Sequence, residues 1–254
     1  MNTCIIECIF GSDFSSVHPA INNIDSYFFT NNTRLKKNIE KKGWIYKYID
    51  FPISNDITLS SFQSKYIKLL QFLKEDKYNY FNKYDSIIYI DHKFKIKYEH
   101  TLILLNLLED KKILIRKHHF NRSNIWEEFG ESMLQERYFR FMSQTISYIR
   151  CKIREGYSDE PEIVWTSLMV YKHLDSRTLD FLNNVYNDLI SVGTSECQII
   201  WSILGQKYKD IIKIVSNDII DIERKNPKTN IFFKIINSTI SFLIPYGIHK
   251  ILKK

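Results

Sequence analysis

The stretch that decides the fold is YDSIIYIDHKFKI, residues 84–96, in which an apolar run meets three ionisable side chains in succession. Residues 87–90 are apolar and have the length and bounding residues of a buried strand. Asp91, His92 and Lys93 follow directly. Such a strand either reaches the surface at this point or ends at a ligand site, where a carboxylate can hold a metal ion or the hydroxyl groups of a sugar.

The segments around this strand alternate between strand and helix patterns. Residues 60–77 carry apolar side chains at helical spacing, and 101–109 form a second short helical pattern. The other apolar runs of the first half predict strands at CIIECIF (4–10), SYFFT (26–30), GWIYKYID (43–50) and KILIRK (112–117). Strands and helices in this order predict an α/β domain with a mostly parallel central sheet flanked by helices.

Open sheets of this kind bind ligands outside the carboxyl ends of their strands. Gly11, Thr30, Asn31 and Asp91 each follow or end a predicted strand. We therefore expect these four residues to lie along one edge of the sheet.

The second half continues the alternation. One long helix, either continuous or with a single break, is predicted from Asn124 to about Glu155, and EIVWTSLMVYK (162–172) predicts another strand. Helices are expected at 176–191 and 195–204, the latter with Thr194 or Ser195 as its N-cap. The sequence shows no internal repeat and no linker, which favours a single domain over residues 1–228.

The last segment, TNIFFKIINSTISFLIPYGIHKILKK (229–254), has a different composition. It combines dense apolar residues with Pro245 and a basic end at Lys250, Lys253 and Lys254. Two interpretations stay open, namely an amphipathic basic tail at an anionic membrane surface and a C-terminal helix packed on the core.

Composition sets limits on the partners. The chain has 254 residues, a net charge of +7 and a pI near 9.0. This charge favours phosphates, nucleotides or an anionic membrane surface, with a solvated basic surface as the alternative. No nucleic-acid-binding motif occurs, so no nucleic acid partner is predicted.

The expected location is the cytoplasm, and it rests on the cysteines and the N-terminus. Cys4, Cys8, Cys151 and Cys197 form no C-x-x-C pair, which predicts free thiols in a reducing compartment. MNTCIIECIF lacks a basic n-region and predicts a first strand rather than a signal peptide. No apolar run reaches the length of a membrane span.

Three further patches contain candidate functional residues. Lys65 and Lys68 lie three positions apart on a predicted helix, where they could meet a phosphate or form an ordinary solvated face. In RKHHFNRSNIWEEFGE (116–131), a polar ligand-binding loop is favoured over a metal site, because His118, His119 and Glu127 lack a recognised zinc spacing. Glu196 stands at a helix start, suited to a capping role or to a general base.

Several well-known chemistries lack their sequence signatures. The chain contains no G-x-S-x-G, no Walker A sequence and no G-x-G-x-x-G. Hydrolase-elbow, P-loop and dinucleotide-binding functions are therefore not indicated.

Seven segments, taken in order, form a pattern similar to that of a known family. They are IFG (9–11), YFFTNN (27–32), GWIYKYI (43–49), KYIK (65–68), YDSIIYIDHKFKI (84–96), RKHHFNRSNIWEE (116–128) and TSECQ (194–198). The chain resembles the glycosyltransferase-like family that includes the plant turgor-regulation and mucilage-related proteins and many bacterial polysaccharide-cluster members. The resemblance covers roughly residues 4–205, and its motifs are moderately specific.

The resemblance implies a GT-A-like domain, a nucleotide-sugar donor and transfer to a hydroxyl group of a glycan or glycolipid in surface polysaccharide synthesis. By position in the motifs, the implied nucleotide-sugar contacts are Phe10, Gly11, Thr30, Asn31, Lys65, Lys68, Asp91, His92 and Lys93. The implied acceptor or sugar pocket comprises His118, His119, Arg122, Glu127, Glu128 and Gln198. Asp91 and Glu196 are the implied catalytic residues, Glu196 as the base of an inverting transfer.

The chain departs from the family at two places. Lys93 stands where a D-x-D sequence has its second acid, so the diphosphate could be held by Mn²⁺ or Mg²⁺ at Asp91 or by the lysine instead. The family often has Arg-Asp-Gln where this chain has SECQ (195–198), which shifts the carboxylate by a residue.

The tail and the alternative functions give further expectations. The tail resembles the C-termini of bacterial glycosyltransferases at the inner membrane face, which implies a peripheral position there. Two alternative functions stay open. One is a lipid or glycan hydrolase in which His118 and His119 hold a metal that activates water. The other is a non-catalytic module that binds a sugar nucleotide or a membrane.

Overall fold

A computed structural model of the chain describes residues 2–12, 17–120 and 122–220, together with a short strand at 223–224. The predicted tail at 229–254 and its boundary at residue 228 lie outside the described residues. In the part of the chain that is described, no helix has the length and apolar character needed to cross a bilayer.

The strands are, in chain order, β1 (Thr3–Cys8), β2 (Asp25–Thr30), β3 (Ile45–Tyr48), β4 (Ser86–Ile90), β5 (Phe94–Lys95), β6 (Ile113–Lys117), β7 (Val164–Tyr171), β8 (Ile212–Val215) and β9 (Glu223–Arg224). The helices are α1 (Lys36–Lys41), α2 (Ile57–Lys68), α3 (Tyr98–Leu108), α4 (Ile125–Ser132), α5 (Glu136–Phe139), α6 (Met142–Arg154), α7 (Ser176–Val192) and α8 (Cys197–Gly205).

Among the described residues, seven of these strands form one sheet in the order β3-β2-β1-β4-β7-β6-β8. The pairs β1–β2, β1–β4, β2–β3 and β6–β8 are parallel, whereas β7 runs antiparallel to both β4 and β6. β5 and β9 form a separate antiparallel pair. The predicted α/β class, with a mostly parallel central sheet flanked by helices, is therefore confirmed.

Both faces of the sheet are buried, because successive side chains of a strand point to opposite sides. Ile6 and Ile87 join a large core with α7 and α8, while Ile5 and Ile88 join a second core. The second core also receives side chains from α1 and α3. Burying each such isoleucine contributes roughly 2 kcal/mol, so apolar runs such as SIIYI are stable only between two layers of helices.

One glycine sets the distance between β1 and α2. Gly11 has φ +90°, and a Cβ built there would collide with Ser60 Oγ and lie 2.8 Å from the carbonyl oxygen of Ser54. The Gly11 amide donates a hydrogen bond to Asn31 Oδ1 at 3.0 Å. Only glycine suits this conformation and this approach, so α2 can pack closely against the end of β1.

Two helix predictions need correction. The long helix expected from Asn124 to about Glu155, with at most one break, is divided twice, into α4, α5 and α6. Its apolar side chains Ile125, Phe129, Tyr138 and Ile149 all belong to one compact cluster. A straight helix of about 30 residues would span roughly 45 Å and could not bring them together.

The helix expected over 60–77 begins earlier and ends at Lys68. Leu70 adopts a left-handed conformation with φ +55°, and the chain continues in short 3₁₀ turns. These turns direct Phe72 and Phe81 into the core. The four cysteines are free thiols, with three buried and Cys151 exposed.

Candidate active site

A cleft of about 860 Å³ lies along the edge of the sheet where β1, β4 and β6 have their carboxyl ends. β7, running the other way, begins at this edge and supplies Trp165 and Thr166 to the lining. The remaining walls come from α2, from the segment around α4 and from the start of α8. The cleft lies at the edge where open sheets of this kind bind ligands, and a ligand site there stays a prediction.

One face of α2 forms a polar wall of the cleft. The side chains that line it are Ser60, Ser61, Ser64, Lys65 and Lys68. Their spacing places all five on one side of a helix. Asp56 caps the N-terminus by accepting a hydrogen bond from the Thr58 amide at 2.8 Å. Hydroxyl and ammonium groups on one helix face are suitable donors for an anionic ligand.

The carboxylate at the end of β4 is held by two donors. Lys68 Nζ lies 3.0 Å from Asp91 Oδ1, and the Tyr89 hydroxyl donates to the same oxygen at 2.7 Å. The Lys68 side chain is only 3% exposed, and its ammonium also lies over the Tyr89 ring. The strand therefore ends on a buried ion pair that faces the cleft.

The pKa values around this pair follow from burial and charge. Burial raises the pKa of the Asp91 carboxyl, but Lys68, Lys93 and Lys65 outweigh it and hold the pKa well below its usual range. Burial lowers the pKa of Lys68, whereas Asp91 overcompensates and raises it. Both partners are consequently charged at neutral pH.

Lys65 differs from its neighbour on α2. It is 8% exposed and lines the cleft, yet no hydrogen bond or ion pair to its ammonium is found in the described part of the chain. Burial lowers its pKa, and Asp91 and Glu196 act on it only through longer-range attraction. A nearly buried cation without a partner is costly unless an anion binds beside it.

The opposite wall contains a closed polar network. Glu128, which is 2% exposed, forms an ion pair with Arg122 and accepts a hydrogen bond from Gln198 Nε2 at 2.7 Å. Asn124 caps α4 through the amides of Trp126 and Glu127. This capped helix start brings Glu128 opposite the first turn of α8.

Glu196 is the N-cap residue of α8, which corrects the expected cap at Thr194 or Ser195. Its Oε1 accepts a hydrogen bond from the Gln198 amide at 2.8 Å, and its own amide donates to Thr194 Oγ1. Glu196 is 5% exposed and lines the cleft. Burial and then the Glu196 carboxylate raise the pKa of Tyr138 well above its usual range.

An aromatic ledge, defined as His118, His119, Phe120 and Trp165, forms the rim of the cleft. The ring centroids of His119 and Phe120 are 4.0 Å apart, and those of His119 and Trp165 are 4.7 Å apart. Phe120 is 57% exposed. Burial, followed by Arg122 and His119, lowers the pKa of His118 to about 3.

The residues around Asp91 do not fit a divalent cation. Mg²⁺ and Mn²⁺ favour several oxygen ligands, whereas Asp91 Oδ1 is already shared by Tyr89 and Lys68 and the nearest charges are ammonium groups. No group of three His, Cys, Asp or Glu side chains in the described residues could hold a metal ion. Asp91 is instead the ion-pair partner of Lys68.

Most of the site residues predicted from the sequence line this single cleft. They are Phe10, Lys65, Lys68, Asp91, His92, Lys93, His118, His119, Arg122, Glu128, Glu196 and Gln198. Four lie elsewhere. Gly11, Thr30 and Asn31 are buried but do not line the cleft. Thr30 ends β2, and its Oγ1 accepts a hydrogen bond from the Asn32 amide. Glu127 bonds to Ser123. Ligand roles for these four stay predictions.

Sequence reasoning missed other lining residues, among them Tyr89, Tyr138, Trp165 and the serines of α2. The serines had a usable signal, because they share the helical face of the lysine pair. Trp165 and Tyr138 had none, since they reach the cleft only through the antiparallel direction of β7 and the break between α4 and α6.

Comparison with known proteins gives similarities of fold. No protein-family model matches the chain. No curated protein matches it. The apo form of mouse xyloside xylosyltransferase 1 is similar with a TM-score of 0.45 and 10% identity, over 85% of each chain. An active-site mutant of LgtC is similar with a TM-score of 0.45 and 13% identity, over 83% of this chain and 72% of that one.

A third solved structure, 4-diphosphocytidyl-2C-methyl-D-erythritol synthase from Anaerococcus prevotii, is similar with a TM-score of 0.42 and 13% identity. It covers 94% of this chain and 96% of the other. Membership of the family that the sequence resembles stays a prediction.

Proposed function

We propose that this protein is a glycosyltransferase that moves a sugar from a nucleotide-sugar donor to a hydroxyl group of a glycan or glycolipid acceptor. One observation supports this most. Asp91, Lys65, the histidine segment at 118–119 and Glu196 are distant in sequence but line one cleft at the carboxyl edge of the sheet. Cations and a carboxylate on facing walls are what such a transfer requires.

The lysine side of the cleft suits the departing half of the donor. When the bond between the sugar C1 and the phosphate oxygen breaks, negative charge develops on the nucleoside diphosphate. Ammonium groups already oriented in a partly buried site stabilise that charge more strongly than water does. Lys65 and the hydroxyls of Ser61 and Ser64 are placed to do this.

The facing side suits the acceptor. Glu196 would take the proton from the acceptor hydroxyl while the acceptor oxygen bonds to C1, and the proton would then pass to water. The N-cap hydrogen bond from the Gln198 amide fixes the direction of the carboxylate. The aromatic ledge and Arg122 would contact the acceptor. On the basis of the family resemblance, the proposal also includes a role in surface polysaccharide synthesis. It places the protein in the cytoplasm, at the inner face of the membrane.

The test combines binding and turnover. UDP-, GDP-, CMP- and dTDP-sugars are screened by thermal shift, since a ligand of the native state raises its melting temperature. Release of nucleotide from the donor that binds is then followed, first with water and then with glycan acceptors. We expect Glu196→Gln to lower turnover by about 100-fold or more, as for loss of a general base, with donor binding kept.

The amide oxygen of the variant can still cap α8, so its fold should be preserved. Glu162→Gln is the matched control, because Glu162 is exposed and its ion-pair partner among the described residues is Lys117. Equal turnover by Glu196→Gln and the wild type would overturn the base assignment. Absence of binding by every nucleotide sugar at millimolar concentration would overturn the transferase proposal.

A further inference from the structure

The lysine wall is defined as Lys65, Lys68 and Asp91, which line the same cleft. It carries two positive charges and one negative charge. Lys93, which is exposed beside it, adds another cation. A donor diphosphate brings the opposite charge. The wall can therefore balance a diphosphate with groups of the chain itself.

The two buried lysines are not equivalent. Lys68 is neutralised by Asp91 at 3.0 Å and also faces the Tyr89 ring, so its charge is already paired within the protein. Lys65 is one helical turn earlier on the same face, and its ammonium has no ion pair or hydrogen bond to the residues that the structure describes. An anion entering the cleft gains most from Lys65, because this lysine has no partner among the described residues that must be given up.

Asp91 is unsuited to recruit a metal ion. One of its oxygens accepts from both Lys68 and Tyr89, and a cation bound there would compete with the Lys68 ammonium and be repelled by Lys65. Separating Lys68 from Asp91 would leave a buried charge unpaired, which costs several kcal/mol. Like charges near one site disfavour a further cation.

We propose that this cleft binds the diphosphate of its donor through Lys65 without a divalent metal ion, and that Asp91 positions Lys68 instead of ligating a metal. The hydroxyls of Ser61 and Ser64, on the same face of α2, add neutral donors to the phosphate oxygens. This inference rests on the proposed function and specifies which groups of the protein bind the diphosphate of the donor.

The experiment is a calorimetric titration of the full chain with UDP, GDP, CDP and dTDP, and with inorganic pyrophosphate as a separate arm. Each titration is made in EDTA and again with millimolar Mn²⁺. The variants are Lys65→Met and Lys65→Gln, and Lys37→Met on α1 is the control because Lys37 is exposed on the other side of the sheet.

We expect one nucleoside diphosphate to bind in EDTA with a Kd within about threefold of that in Mn²⁺. Both Lys65 variants should weaken it at least tenfold, and Lys37→Met should leave it unchanged. Binding that requires Mn²⁺ would overturn this inference and leave the proposed function intact. Unchanged binding by the Lys65 variants would overturn it as well.

Two other outcomes separate this inference from the proposed function. If no nucleoside diphosphate and no pyrophosphate binds under either condition, both fail. If pyrophosphate binds in EDTA through Lys65 as tightly as every nucleoside diphosphate, the metal-free anion site is supported and the nucleotide-sugar function is contradicted.

Discussion

On one wall of the cleft Glu128 pairs with Arg122 and accepts from Gln198, whereas on the other Lys65 lies nearly as deep without such a partner among the described residues. Both charges are withdrawn from water. The charge of Glu128 is compensated within the fold, and we propose that the charge of Lys65 is compensated by a bound ligand. Removing a charge of the first kind and removing one of the second kind should therefore have different effects on stability.

The comparison assigns different roles to the two walls. A closed network such as Arg122–Glu128–Gln198 fixes α4 against α8 and thereby positions Glu196 at the head of α8. Lys65 on α2 has no such partner among the described residues, so we expect its ammonium to lower the stability of the empty protein and to be compensated by a bound anion. Three changes in stability, from the largest to the smallest, test this contrast, and a titration of His118 then tests the packing of the rim.

The largest effect is expected at the closed wall. Glu128→Ala leaves the buried Arg122 guanidinium without its ion pair and Gln198 without its acceptor, so the free energy of unfolding should fall by about 3 kcal/mol. Urea denaturation gives this value. The double variant Arg122→Met/Glu128→Met removes both charges and should recover most of the loss. A single variant as stable as the wild type would show that the network is not structural.

A smaller loss is expected where β1 meets the open wall. Gly11→Ala forces a Cβ against Ser60 and the Ser54 carbonyl, whereas Gly156→Ala meets nothing within 4 Å. The two glycines have φ values of +90° and +91°, so the left-handed conformation costs an added Cβ the same free energy at both positions. We expect Gly11→Ala to be less stable than Gly156→Ala by about 2 kcal/mol. Equal melting curves would contradict the close approach of α2.

The opposite sign is expected for Lys65. Lys65→Met replaces an unpaired, nearly buried ammonium by an apolar group of similar shape, and should raise the free energy of unfolding of the ligand-free protein by about 1 kcal/mol. Lys37→Met, at an exposed position, should change it by less than about 0.5 kcal/mol. Denaturation of the three proteins without ligand measures both values. A clear loss of stability in Lys65→Met would mean that Lys65 has a structural partner.

A separate prediction concerns the protonation of His118 at the rim of the cleft. The pKa of His118, lowered to about 3 by burial and by Arg122 and His119, predicts an imidazole that stays neutral from pH 7 to pH 4. In the unfolded chain the ordinary pKa is about 6.5, so only the unfolded state gains this proton, and stability is lost as the pH falls from about 6.5 towards 3.

Proton NMR of the histidine C2–H signals checks this point. The His118 signal, assigned by its absence in His118→Asn, should not shift between pH 7 and pH 4. A midpoint near pH 6.5 would place the ring in water and contradict the packed ledge.

The main elements of the fold could be predicted from sequence because their signals are local. SIIYI and SYFFT became buried strands as expected, since apolar runs of that length are stable only inside a sheet. The antiparallel direction of β7 could not be predicted from its own residues. It depends on the edge of the sheet at which the chain re-enters after the preceding helices. The division of 124–155 likewise depends on a cluster shared with α8.

Residues that line the cleft could be predicted where a charged side chain stands at a recognisable position of a strand or helix. Asp91 follows a buried strand, and Lys65 with Lys68 occupies one helix face, so both patterns are visible in sequence. Sequence could not show which lysine is paired, because the ion pair of Lys68 depends on a strand 23 residues further along the chain. Nor could it choose among Thr194, Ser195 and Glu196 as caps of α8, since all three residue types accept hydrogen bonds.

The most direct test of the central claim is a crystal structure of the protein with whichever nucleoside diphosphate binds most tightly, grown in EDTA. We predict a phosphate oxygen within about 3 Å of Lys65 Nζ, the Lys68–Asp91 pair intact, and Glu196 facing the phosphate from the other wall. A nucleotide bound away from Lys65, or crystals that bind it only when a metal ion joins Asp91 to the diphosphate, would contradict the account.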